Sequence, residues 1–197
     1  MKTKFITASV TSFIFACSCL VNVASASLIT IDFESFPESD FSQGSENGFN
    51  ISANGPDTKI VDPGFNSGNT AFSDGGSTLV PSNWFFSTNG LFTFEKLDIG
   101  SFYNQGDYVI VTGWLGNVLQ AEDNYKTTTS QWNGQLSTKE AINLKGIMVD
   151  KISISMLSTS NLYGVMDNVV MNKVPEPTSL AIFALGIMGL AVRRLKQ

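Results

Sequence analysis

The stretch LFTFEKLDI, Leu91 to Ile99, alternates apolar and polar residues with a period of two. Successive side chains of a strand point to opposite faces, so this pattern gives one face to a core and the other to water. The same period returns on both sides of it. Leu28-Ile29-Thr30-Ile31-Asp32-Phe33 opens the middle of the chain, Asp107-Tyr108-Val109-Ile110-Val111-Thr112-Gly113-Trp114 is rich in β-branched and aromatic residues, and Ile152-Ser153-Ile154-Ser155-Met156 alternates cleanly.

Between these runs lie Asn47-Gly48, Asn54-Gly55, Asp74-Gly75, Asn89-Gly90 and Asn133-Gly134. Such pairs supply the positive φ that tight hairpin turns require. From Ser27 to Lys173 no segment carries a helical stripe of three turns. The predicted fold class is therefore all-β, an antiparallel β-sandwich of two sheets. The polar, Gly-rich stretch from Pro37 to Ser82 is expected to form long loops with a few short edge strands.

Both ends differ from this middle. Lys2 and Lys4 precede a mostly apolar run, Phe5 to Val23, and then Ala24-Ser25-Ala26, a small-residue cleavage site. This order predicts a signal peptide over 1–26, cut after Ala26, with an uncleaved anchor helix as the alternative. Cys17 and Cys19, the two cysteines of the chain, would leave with it. At the other end, Leu180 to Val192 is uncharged and is followed by Arg193, Arg194 and Lys196. That run is shorter than the roughly 20 residues of a typical spanning helix, which leaves a buried core helix as a second reading. Its apolar character on every face and its basic end favour a hydrophobic anchor helix held on the cytoplasmic side. Pro175 and Pro177 keep the segment before it extended and accessible to a protease.

Removing both ends leaves a 27–173 domain with seven lysines and sixteen acids, 7 − 16 = −9, and no arginine, histidine or cysteine. A surface of that sign repels phosphate backbones, so nucleic acid is not an expected partner. Disulfides and thiolate metal sites are excluded, and the usual general base of a serine nucleophile is missing. Paired carboxylates leave a secreted glycoside hydrolase formally open, although no acid pair stands in a glycosidase motif.

Val174, Pro175, Glu176 and Pro177, followed by the short hydrophobic run and the basic tail, resemble the PEP-CTERM sorting signal of Gram-negative bacteria. The resemblance covers 174–197. It implies cargo of exosortase, anchored transiently in the inner membrane and passed to the cell surface or to the extracellular matrix, where exopolysaccharide and biofilm association are expected.

A second resemblance concerns the middle. Ile31-Asp32-Phe33-Glu34 and Tyr163-Gly164-Val165-Met166-Asp167-Asn168-Val169 are similar to the opening and closing strands of jelly-roll carbohydrate-binding and galactose-binding-like modules. It implies a jelly-roll-like sandwich with adjacent first and last strands, and a structural calcium shared by Glu34 and Asp167. From the residues alone, solvated acids at strand ends are the competing reading. In a carbohydrate-binding module, Trp84 and Trp132 are the candidate stacking platforms, with core packing as the alternative for each, whereas Trp114 is expected in the core. The functions expected are thus a non-enzymatic exported surface or matrix protein or, as the alternative, a carbohydrate-binding module with structural calcium.

Overall fold

The computed structural model describes residues 26–55, 58–62, 68–74, 81–101, 108–127, 136–157 and 163–174. The signal segment up to Ser25, the sorting motif from Pro175 and the hydrophobic run after it lie outside the described residues. Among the described residues every regular element is a strand: β1 Ser27–Ile31, β2 Ser39–Asp40, β3 Gln43–Glu46, β4 Phe49–Asn54, β5 Thr58–Val61, β6 Thr70–Asp74, β7 Ser82–Ser101, β8 Tyr108–Leu115, β9 Val118–Lys126, β10 Ser137–Glu140, β11 Val149–Leu157 and β12 Tyr163–Lys173. All pairings are antiparallel.

The twenty-residue β7 organises the rest. Its first half pairs with β4 on one edge and β11 on the other. Its second half pairs with β12 and, over Leu97 and its neighbours, with β10. One run of paired strands therefore reads β3-β4-β7-β11-β8-β9 and another β2-β5-β6-β12-β7, with β1 added to β12, and the two are continuous through β7 as one twelve-stranded sheet. Ile51, Phe86, Val111 and Ile154 of the first run share one apolar cluster with Ile60, Ala71, Ile99 and Met166 of the second. Alternation is what makes this possible, most plainly in β4 and β8, where buried and more exposed residues alternate.

Two expectations need correction. Asn89-Gly90 makes no hairpin turn; it lies inside β7, between the two halves, and the chain continues as strand. The turn chemistry is instead visible at Asn47-Gly48, with φ of 49° and 81°, which closes the β3–β4 hairpin, and at Gly116, with φ of 60°, which opens the turn between β8 and β9. The polar 37–82 stretch is also more regular than expected. β4 pairs on both edges with β3 and β7, and β6 pairs with β5 and β12, so neither is an edge strand. Ladder hydrogen bonds to two neighbours stabilise strands whose own composition is weakly β-forming.

The period of two in Leu91–Ile99 slips once. Phe92 and Phe94 face inward, then Leu97 and Ile99 do, which is a change of parity. The extra residue is in β7 itself, where the single step from Val170 to Met171 on β12 is matched by two steps from Lys96 to Phe94; a second shift, between Asp167 and Val170, puts an extra residue in β12, where Asn168 takes a φ of 46°. A bulge adds one residue to one strand and turns the residues beyond it to the other face.

Asp123 of β9 is 1% exposed. It stands on the inward parity between Ala121 and Tyr125, and its carboxylate accepts from the backbone N–H groups of Ile142, Asn143 and Leu144, at 3.0, 2.7 and 3.3 Å, and from the Tyr125 hydroxyl at 3.1 Å. The fixed loop drives Leu144 into the core beside Gly113, where a Cβ would collide with Leu144 and Val149.

Candidate functional site

The tryptophans fall where their strand register puts them. Trp84 is inward on β7 and 0% exposed; Phe41 stacks on its indole at 5.3 Å and Phe33 meets it edge-on at 6.0 Å. This corrects the platform expectation for Trp84, because an indole enclosed by two phenyl rings presents no face to a ligand. Trp114 is corrected in the opposite sense. Val109, Val111 and Gly113 are the inward residues of β8, so Trp114 shares the outward face with Ile110 and Thr112 and is only half-buried. Its indole N–H donates to the Thr112 hydroxyl at 3.0 Å, and the Lys151 ammonium lies over the ring at 5.4 Å from the centroid. Trp132 lies outside the described residues.

The strands that lead to the two expected acids are neighbours, and the charge of Glu34 acts on Asp167. β1 pairs with β12 in the register Ser27 to Lys173 through Ile31 to Val169, and this brings the end of β1 to the bulge of β12. Glu34 is exposed, and its Oε1 accepts from the Asn69 N–H at 2.7 Å. A Cβ at Gly68 would collide with that carboxylate, so the approach depends on a residue without a side chain. Asp167 accepts through Oδ1 from the Asn168 N–H at 2.7 Å, and the Asn168 amide bridges Asp167 and Asp98 at 3.3 and 3.0 Å. Asp98 and Asp167 are directly opposed across β7 and β12, an arrangement in which like charges repel.

A third carboxylate underlies the pair. Buried Glu46 accepts from the N–H groups of Asp32 and Phe33 at 3.4 and 3.2 Å. It thereby supports Phe33 in the left-handed region at φ 61°, a conformation costing a bulky residue about 1–3 kcal/mol. Burial, followed by the hydrogen bond and charge of Asp32, pushes the Glu46 carboxyl up to about 7. Asp167 is likewise pushed up to about 7, first by burial and then by the charges of Asp98, Asp32 and Glu34, against the lowering effect of the Asn168 N–H. The cluster therefore carries charge that only a proton or a cation would relieve. Among the described residues no three acids are grouped as a metal ion's shell; the carboxylates reach each other by field rather than by converging on one point.

The alternation of Thr30-Ile31-Asp32-Phe33 gives no hint of Glu46, because a lone acid before Asn47-Gly48 reads as part of a solvated turn. The one available signal is parity: Glu46 and Phe49 are the inward pair of the hairpin.

Comparison with known proteins adds three findings. Residues 173–195 match the family described as the PEP-CTERM protein-sorting motif. No curated protein matches the chain. Among solved structures, the chain is similar to the family 29 carbohydrate-binding module CBM29_1 from Piromyces equi, with 14% identity, 77% of this chain and 93% of that one covered, and a TM-score of 0.44. It is also similar to the family 32 carbohydrate-binding module of C. perfringens NanJ in complex with galactose, with 15% identity, 62% and 93% covered, and a TM-score of 0.40. A third likeness is to the Clostridium thermocellum xylanase 10B modules complexed with xylohexaose, with 13% identity, 77% of this chain and 29% of that one covered, and a TM-score of 0.47. The sorting motif implies export with a C-terminal membrane anchor before processing, and exosortase as the processing partner.

Proposed function

We propose that this chain is an exported, non-enzymatic protein of the cell surface or extracellular matrix, cut by exosortase at Val174–Pro177 and associated with exopolysaccharide in a biofilm. Its 27–173 domain is read as a jelly-roll module. The observation that carries the proposal is the sorting motif at 173–195, which begins at the last residue of β12. The proposed cleavage after Ala26 fits a domain whose first strand begins at Ser27. Replacing Pro175, Glu176 and Pro177 together by alanine is expected to leave export intact and to trap the full-length protein in the inner membrane. Mass spectrometry of the mature C-terminus reads the outcome. A mutant processed and released like the wild type would remove the motif from recognition.

The second reading, a structural calcium held by Glu34 and Asp167, is favoured by the mutual repulsion around Asp167. Calcium takes six or more oxygens, so the remaining ligands would have to come from amide, carbonyl and water oxygens. Proton and calcium are then competitors, and one experiment separates them. Glu46 and Asp167 both have folded pKa values near 7, raised from 4.5 and 3.8. The folded state thus holds more protons than the unfolded state between about pH 4 and pH 7. The stabilisation from these protons is complete below the unfolded values and is lost as pH rises through 7. With chelator present, stability is expected to fall by on the order of 2 kcal/mol between pH 5 and pH 8. At pH 8, calcium at a hundred times Kd should restore about 2.7 kcal/mol. Asp167→Asn should abolish the calcium response and remove the Asp167 share of the pH response, leaving that of Glu46. A melting curve that follows pH but ignores calcium leaves the proton as the sole partner of the cluster.

A further inference from the structure

The turn that joins β8 to β9 is apolar. Leu115-Gly116-Asn117-Val118-Leu119-Gln120 holds three large apolar residues and no charge. Along β9 the in–out alternation breaks down towards this turn, where Val118, Leu119 and Gln120 are exposed in succession. Side chains on both faces of a strand reach water only where the strand has run past the core. The tip therefore projects, with Val118 64% and Leu119 48% exposed and Leu115 exposed beside them. Exposed Met148 adjoins it, because the Asp150 carboxylate two residues on accepts from the Gly116 N–H at 2.8 Å. Turns are ordinarily polar, and a projecting apolar one is a surface that marks a contact.

The pairings put this tip at the end where the chain enters and leaves the domain. Trp114, next to the tip, is opposite Lys151; Val149, two residues before Lys151, is opposite Phe92; Phe92 is opposite Lys173, and Lys173 is opposite Ser27. The Val174 N–H donates to the Leu91 carbonyl at 2.8 Å. From β9 through β8, β11 and β7 to β12 are four strand spacings, roughly 20 Å along the sheet. Exposed Leu28, opposite Asn172, belongs to the same end, whereas exposed Tyr108 lies at the other end of β8. Five residues, Pro175 to Ser179, separate Val174 from the uncharged run that begins at Leu180, a tether of roughly 20 Å when fully extended. On the other side, Val23 closes the N-terminal apolar run four positions before Ser27. A chain held in a bilayer by either run keeps this end of the domain close to the lipid.

We propose that the Leu115–Leu119 tip, with Met148, seats in the lipid surface of the membrane that holds the chain by its C-terminal run. The inference rests on the anchoring that the sorting motif implies. The occupant is identified by position and by apolarity. The short tether turns this end towards the bilayer, and the tip is the part of it that the acyl boundary takes and water does not. Charge does not select the site, because the residues around it are mixed in sign, Asp150 and Glu122 against Lys145, Lys151 and Lys173, so a neutral leaflet serves. A few side chains hold weakly by themselves. The tether makes docking intramolecular, so a contact too weak for a free domain suffices while the chain is anchored. Docking then keeps Val174 and the motif after it at the membrane surface, and cutting the tether releases the domain.

The test reconstitutes the full-length chain, carrying C17S/C19S, into phosphatidylcholine vesicles, with a polarity-sensitive fluorophore on N117C or, as the control, on K126C at the far end of β9. Co-flotation with the vesicles reports anchoring. In floated protein the probe at 117 is expected to shift to the blue and to be quenched by lipids bearing a nitroxide at a shallow acyl position, while the probe at 126 does neither. V118S/L119S, which changes exposed residues only, should float as before, unfold at the wild-type temperature and lose both signals. A probe at 117 that stays in water in floated protein overturns the inference and leaves anchoring intact. A signal that V118S/L119S retains does the same, as does a blue shift that disappears when the protein is diluted in lipid, which would mean that a second copy covers the tip. Protein that fails to float overturns the anchoring and the inference together.

Discussion

Trp84→Ala is expected to cost about 3 to 5 kcal/mol, enough to leave the domain largely unfolded at ordinary temperatures. Trp114→Ala should cost only about 1 kcal/mol. The asymmetry comes from the surroundings of each ring. Trp84 is fully enclosed, and its removal leaves a void lined by Phe41 and Phe33. It also takes away the packing that holds Phe33 in its left-handed conformation next to the acidic cluster. Trp114 loses one hydrogen bond to Thr112 and the attraction of Lys151, both on a half-buried face. Urea unfolding of the two variants decides the matter. Equal costs, or a larger cost at Trp114, would mean that the inward and outward faces of β7 and β8 have been exchanged.

The same pair of residues shows how far the sequence could be read. Trp84 and Phe86 alternate with Asn83, Phe85 and Ser87, so with Phe85 and Phe86 adjacent, the aromatics of this stretch fit either parity. Register decided the matter, through Ile154 opposite Trp84 and Ile51 opposite Phe86. In β8 the apolar run of Tyr108 to Val111 likewise hides which side is inward. All-β class, antiparallel pairing and the neighbouring of β1 and β12 follow from local alternation and from the matching end motifs. Bulges and strand continuity do not, because Asn89-Gly90 is an equally good turn or strand until its partners are known, and the Asn168 bulge is set by β7 opposite it. The pairing of the strand before Glu34 with the strand that carries Asp167 was legible. Glu46 was not, since its burial comes from tertiary packing under Phe33 rather than from anything adjacent to it in the chain.

Asp123→Ala is the second substitution expected to be severe, at about 3 to 4 kcal/mol. It strips the acceptor from three consecutive backbone N–H groups, of which the Leu144 N–H is buried where water cannot replace it, whereas the Tyr125 hydroxyl keeps the Glu140 carbonyl at 3.0 Å. Once freed, the 141–148 loop has no reason to hold Leu144 against Gly113. Asp123→Asn keeps one acceptor oxygen and should recover part of the loss. Proteolysis provides the local readout, since cleavage within 142–148 should accelerate in the alanine variant more than global instability explains. Unchanged stability in Asp123→Ala would mean that the loop is held by its apolar contacts alone. The sequence offers one clue to this residue: an acid placed two residues from Ala121 and two from Tyr125 sits on the apolar parity of its strand, where a charge requires donors.

The shared strand β7 has a further consequence, for cooperativity. Groups of strands joined only by loops can open one at a time, but here the two runs of paired strands share β7, which is covalently and conformationally continuous through both. Releasing β11 and β4 from its first half removes the support of the second half, and the reverse also holds. The amides in the middle of β7 should accordingly exchange with solvent only when the whole domain unfolds, at the global free energy. Damage to either run of strands is then felt by both, and few partly open forms are left for proteases to find.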